Sequence, residues 1–114
     1  MLTLPPSVRI YVAKQPVDMR KSFRGLTGVI RQLEHDPTSG HLFCFFNRRR
    51  TLIKVFFFDR TGFSIFYKRL AKGTFQIPAG ETEAIAIDAG LLALILEGID
   101  IHNTVQRPRY RRPT

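Results

Sequence analysis

The sequence predicts an α+β fold: an antiparallel β-meander packed by an N-terminal amphipathic helix and a C-terminal helix. Three observations predict it. Met19, Phe23, Leu26, Ile30 and Leu33 step by four and three residues and form one apolar helical stripe. Three consecutive runs rich in Phe, Ile, Val and Tyr follow, joined by connections of hairpin length. A short apolar run, Ala89 to Leu96, then stands between Asp88 and Gly98, a capping residue and a terminating one.

Taken in order, Val8 to Val12 alternates as Val-Arg-Ile-Tyr-Val, a short strand after the Pro5-Pro6 breaker. Asp18 is the expected N-cap of a helix reaching Leu33. Gly25 and Gly28 weaken that helix by ~1 kcal/mol each relative to Ala, so something is expected to pack closely against them. Asp36-Pro37-Thr38-Ser39-Gly40 is a turn. The meander strands are Leu42 to Phe46, Leu52 to Phe58 and Phe63 to Leu70, linked through Asn47-Arg48-Arg49-Arg50 and Asp59-Arg60-Thr61-Gly62. A shorter strand is expected at Thr74 to Ile77, stopped by Pro78, and another at Ala84 to Ile87.

The chain has 114 residues, 44% of them hydrophobic, which supports one core and not two. Residues 1–101 read as one domain and 102–114 as a basic Arg/Pro-rich tail with little to bury, expected to be flexible. One cysteine, Cys44, excludes an internal disulfide framework and suits a reducing cytoplasm; on its strand it reads as buried and inert. His35, His41 and His102 have no metal-ligand spacing, and no cofactor motif is present. The Ala89 to Leu96 run is far below the ~20 residues a membrane span needs, and the N-terminus lacks the pattern of a secretory signal.

Charge is the dominant signal. The formal net charge is +9 and the isoelectric point is near 10.6. Residues 1–72 hold fourteen basic and four acidic side chains, whereas residues 73–106 hold five acids and no Lys or Arg. Segregation of this kind points to two functional faces, one of which meets a polyanion.

The cations fall into groups. On a helix running from Asp18, Arg20, Arg24 and Arg31 lie within ~40° of one another, with Lys21 beyond them, a ridge suited to phosphates. Arg48, Arg49 and Arg50 sit at a hairpin tip with Lys54 behind, and adjacent arginines repel unless an anion joins them. Lys68 and Arg69 extend the patch, and Arg109, Arg111 and Arg112 add a basic tail. All thirteen are candidate nucleic-acid contacts. Rings interleaved with cations also resemble a single-strand stacking platform, but Phe56 and Phe58 face one side and Phe57 the other, so most rings belong to the core of a sheet covered on both faces. Asp18, Asp36 and Asp59 could form a carboxylate cluster for a metal-dependent nuclease, but each also occupies a cap or turn position that explains it without catalysis. No catalytic or metal residue is therefore assigned.

Read together, Val17-Asp18-Met19-Arg20-Lys21-Ser22-Phe23-Arg24-Gly25-Leu26, Asp36-Pro37-Thr38-Ser39-Gly40-His41-Leu42-Phe43, Asn47-Arg48-Arg49-Arg50, Tyr67-Lys68-Arg69-Leu70 and Leu96-Glu97-Gly98-Ile99-Asp100 resemble the TnpB-type (Orf2-like) accessory proteins of bacterial insertion-sequence-sixty-six transposons. Where members of that family carry tryptophans, this chain has Phe56 to Phe58, Ile77 and Ile101. The resemblance implies a non-enzymatic factor acting beside a separate transposase, with DNA and the element's own proteins as partners and no membrane or small-molecule partner. It would act in the bacterial cytoplasm at the nucleoid. The competing expectation is a protein-interaction module that bridges transposase subunits without touching DNA.

Overall fold

The computed structural model describes residues 5–102. Seven elements follow in order: β1 (Ile10–Ala13), α1 (Phe23–Gln32), β2 (Leu42–Phe46), β3 (Leu52–Phe58), β4 (Phe63–Arg69), β5 (Ala84–Ile87) and α2 (Ala89–Leu96). They build one five-stranded sheet in the order β4-β3-β2-β1-β5. The expected purely antiparallel sheet is corrected here. β1 pairs with β2 in parallel, with Ile10 opposite Leu42 and Val12 opposite Cys44, while the other three pairings are antiparallel. The cause is the connection. A strand, a helix and a strand that returns beside the first form a crossover, and a crossover delivers parallel neighbours.

The helices cover opposite faces. Leu26 and Ile30 of α1 are fully buried against Phe43, Phe45 and Phe56. Leu92 and Ile95 of α2 pack with Ile10, Val12, Leu42, Cys44, Phe46, Ile53, Val55 and Phe75 on the other side. Every residue of β2 is buried because both sides of this central strand are roofed.

The first helix starts later than the sequence suggests. The Asp18 carboxylate accepts from the backbone N–H of Arg20 at 2.9 Å, and Lys21 N–H donates to Asp18 O at 3.0 Å. A side chain engaged in its own turn does not cap a helix. Ser22 takes the N-cap position instead, with no side-chain hydrogen bond. Arg20 and Lys21 thus precede α1, and the expected ridge keeps only Arg24 and Arg31 on the helix. At Gly25 a Cβ would lie 2.9 Å from Lys21 Cβ, so glycine lets that turn close; Gly28 has nothing within 4 Å.

The strand expected at Thr74 to Ile77 is also absent. β4 and β5 are opposite edges of the sheet, so residues 70–83 must cross its α2 face. Phe75 is buried there against Phe46, with ring centroids 5.6 Å apart, and Ile77 packs on the same cluster. The second helix matches its sequence signals. Asp88 accepts from Leu91 N–H at 2.8 Å, and Gly98 at φ +73° turns the chain out while Ile99 N–H donates to Leu94 O.

Candidate nucleic-acid interface

Because β1 runs parallel to β2, the end of β1, the start of α1 and the β2–β3 tip share one end of the sheet. Short hydrogen bonds stitch them together. Val17 N–H donates to Phe46 O at 2.9 Å, Leu70 N–H to Thr51 O at 3.0 Å, and Phe75 N–H to Arg50 O at 2.6 Å. Arg69 stands opposite Leu52 in the β3–β4 register. This pole therefore gathers Arg20, Lys21 and Arg24, Arg48, Arg49 and Arg50, and Arg69, all of them exposed. It also gathers Lys14, directly after β1, and Lys72, three residues beyond the end of β4; the predicted contacts omit Lys14, although its place just after a strand is a signal. The uncapped start of α1 adds its N-terminal N–H groups, the positive end of the helix, at the same pole.

The tip is rigid. Asn47 Oδ1 accepts from Thr51 N–H and Leu52 N–H, each at 2.9 Å, and its Nδ2 donates to Thr51 Oγ1 at 3.0 Å. Arg50 N–H donates to Asn47 O at 3.0 Å, and Arg50 itself is held at φ +61°. A non-glycine residue in that left-handed region costs ~1–2 kcal/mol. Among the described residues no acid lies within 4 Å of any of the three guanidinium groups. Neighbouring unit charges ~8 Å apart in water repel by ~0.5 kcal/mol, so this turn adds strain and repulsion without a compensating ion pair.

Between described residues one ion pair forms at this pole. The Arg20 guanidinium donates to both Asp18 oxygens, at 2.7, 3.0 and 3.1 Å. Its hydrogen bonds hold the Asp18 carboxyl down to about 2 and raise Arg20 in turn.

Two predicted contacts are committed elsewhere. Lys54 points to the α1 side, where its ammonium donates to Met19 O at 2.8 Å and Lys21 O at 2.7 Å and lies 5.1 Å from the Tyr67 ring centre. Lys68 points to the other side and donates to Leu96 O at 2.6 Å, at the C-terminal end of α2. Lys54 thus ties the turn before α1 to the sheet, and Lys68 the C-terminal end of α2; both are half-buried. Arg31 lies in the last turn of α1, ~10 Å along the axis from Arg24 and away from the pole. Arg109, Arg111 and Arg112 lie outside the described residues, as does nearly all of the expected tail. The acids of the second half are divided. Asp88 caps α2 at the opposite end of the sheet, whereas Glu83, whose carbonyl accepts from Lys14 N–H at 2.9 Å, and Glu97, next to the Leu96 carbonyl that Lys68 binds, border the basic pole.

The other candidate chemistries find no assembled site. Asp36 accepts from Thr38 N–H and Oγ1, and Asp59 from Thr61 and Gly62; these turn bonds hold both carboxyls below the usual range. Among the described residues no three His, Cys, Asp or Glu side chains come together to hold a metal ion. Cys44 is fully buried, and loss of solvent pushes its thiol up to about 12. An open groove of about 840 Å³ beside α1 mixes Asp18, Glu34 and Glu83 with Lys21 and His35, so it has no single sign of charge. Among the described residues no helix is long and apolar enough to cross a membrane.

Fold and site define a small mixed-sheet protein, helices on both faces, with nine exposed cations among the described residues at one end of the sheet and Arg9, Arg31 and Arg60 toward the other. The chain belongs to the family described as IS66 Orf2 like protein, whose model matches residues 8–106. Membership places it among the Orf2-like accessory proteins of that class of transposable element. It is similar to two proteins of Sinorhizobium fredii, each named only as uncharacterized. One, y4hO, is 39% identical over 101 residues, covering 88% of both chains. The other, y4jC, is 32% identical over 108 residues, covering 94% of this chain and 92% of its own. No solved structure gives a significant match.

Proposed function

We propose that this protein is a non-enzymatic accessory factor of transposition that binds duplex DNA through its basic pole and assists a separate transposase at the ends of its element. The observation that carries the reading is the β2–β3 tip: three exposed arginines on a turn held rigid by Asn47, with no acid within 4 Å among the described residues. Side chains that strain and repel one another there have a physical reason once phosphates stand between them. Arg20, Lys21, Arg24, Arg69, Lys14 and Lys72 widen the footprint, and the start of α1 contributes its dipole.

Lys54, Lys68 and Arg31 fall outside the footprint in this reading, because the first two are bonded to backbone carbonyls and the third is remote. In this reading the protein acts on DNA in the bacterial cytoplasm.

Fluorescence anisotropy on a 30-base-pair duplex across a salt series tests this. If each tip arginine meets one phosphate, Arg48, Arg49 and Arg50 changed together to Ala flatten the slope of log K against log salt by ~2.7. Between 50 and 200 mM salt that difference amounts to ~40-fold in affinity. An unchanged slope removes the tip from the interface. A wild-type affinity insensitive to salt rejects DNA binding through this pole altogether.

A further inference from the structure

We propose that β4 is a docking edge for an extended, acidic segment of a protein partner, which adds to the sheet as a sixth, antiparallel strand. β4 is an edge strand seven residues long. Leu70 N–H donates to Thr51 O and Asp59 N–H to Gly62 O, so the even-numbered residues of this strand turn their backbone groups toward β3. Phe63, Ile65, Tyr67 and Arg69 then turn theirs away from the sheet, a row of donors and acceptors with no strand beside it among the described residues. No proline interrupts the row.

The side chains agree with this. Of the six large hydrophobic residues exposed among the described residues, three lie on β4: Phe63 at 38%, Phe66 at 47% and Tyr67 at 53%. They do not share a face. Phe66 is paired with Val55 and lies on the α2 side, whereas Phe63 and Tyr67, paired with Phe58 and Lys54, lie on the α1 side. Rings on opposite faces cannot form one platform for stacked bases. An added strand would cover both sets, because its own side chains alternate between the same two faces.

Charge selects the occupant. Arg60 precedes the strand, Arg69 ends it and Lys72 follows, all exposed, while Asp59 is occupied by its own turn. A second copy pairing through its own β4 would bring Arg60, Arg69 and Lys72 against the same cations, whereas an acidic segment meets them with opposite charge. Strand addition of this kind draws affinity from main-chain bonds and specificity from alternate side chains. The proposal does not depend on DNA binding at the pole.

The test uses the full chain and a synthetic ten-residue peptide, two aspartates followed by alternating valine and threonine, so that the acids meet Arg69 in the antiparallel sense. Amide exchange followed by NMR is the readout. On binding, the amides of residues 63, 65, 67 and 69 gain protection, while those of 64, 66 and 68 are already slow in the free protein. A peptide N-methylated at alternate positions binds at least tenfold more weakly, as does one with lysines for the aspartates. Phe66→Lys and Tyr67→Pro both weaken binding; the N–H lost at residue 67 does not serve the β3 ladder, and the N-methyl peptide decides the matter should that variant not fold.

Equal binding of the N-methylated peptide overturns the proposal, as does protection confined to the tip. A dimer of the free protein that is lost in Phe66→Lys assigns the edge to self-pairing instead. A single-stranded oligonucleotide that perturbs these same amides more strongly than the peptide assigns it to nucleic acid.

Discussion

Replacing Lys54 by methionine separates a structural lysine from a DNA-contacting one. The substitution keeps the aliphatic stem and removes an ammonium that donates to Met19 O and Lys21 O at 2.8 and 2.7 Å. Hydrogen bonds to a charged group contribute ~1.5–3 kcal/mol each, and the attraction of the cation to the Tyr67 ring adds ~0.5–1 kcal/mol. One of the two bonds is exposed and methionine regains some packing, so the net loss is ~2 kcal/mol. In a domain of this size that lowers Tm by ~8–16 °C. Urea and thermal unfolding measure the loss directly. A salt series well below Tm then asks the second question. A lysine bonded to backbone carbonyls leaves the slope of log K against log salt unchanged, whereas a phosphate contact removes ~0.9 from it. Stability within ~0.5 kcal/mol of wild type, together with a flatter slope, would refute the structural role and return Lys54 to the interface.

Two further substitutions probe the pole. Arg50→Gly relieves the left-handed backbone at φ +61°; after the entropy glycine adds to the unfolded chain, stability rises by ~0.5–1 kcal/mol in urea unfolding, while the DNA salt slope flattens by ~0.9. At Asp18 the folded carboxyl titrates near 2, against 3.8 when free of its partner, because Arg20 grips it. Its contribution to stability is therefore whole above pH ~4 and lost as pH falls toward 2. An NMR titration locates the midpoint, and Asp18→Asn removes this part of the acid-induced loss.

Much of the fold was legible because its signals are local. Leu42–Phe46, Leu52–Phe58 and Ala84–Ile87 were readable to the residue, since dense β-formers stop at Asn-Arg-Arg-Arg, Asp-Arg-Thr-Gly and Asp88. What was not legible depends on choices the local sequence leaves open. Asp18 has the chemistry of an N-cap, and only the nearby Arg20 and the grip of Lys54 on Met19 and Lys21, 35 and 33 residues away in sequence, turn it into a turn residue and delay α1. The parallel pairing of β1 with β2 had a readable cue, a strand and a helix followed by a strand, but the meander after it pointed to antiparallel neighbours.

The same division runs through the site. A count of positive charge treats every lysine alike, and pattern separates them only in part. Lys54 stands two residues from Phe56 on a strand that alternates about a buried face, a cue that its stem points inward; nothing nearby names the carbonyls it reaches. Lys68 likewise alternates with Phe66, but its acceptor, Leu96 O, lies 28 residues on. The tip differs because Asn47 and Thr51 fix it locally, and no alternation draws Arg48, Arg49 or Arg50 inward. An exposed turn that gains nothing for the fold from three adjacent cations is where a charge pattern in sequence bears most directly on a partner.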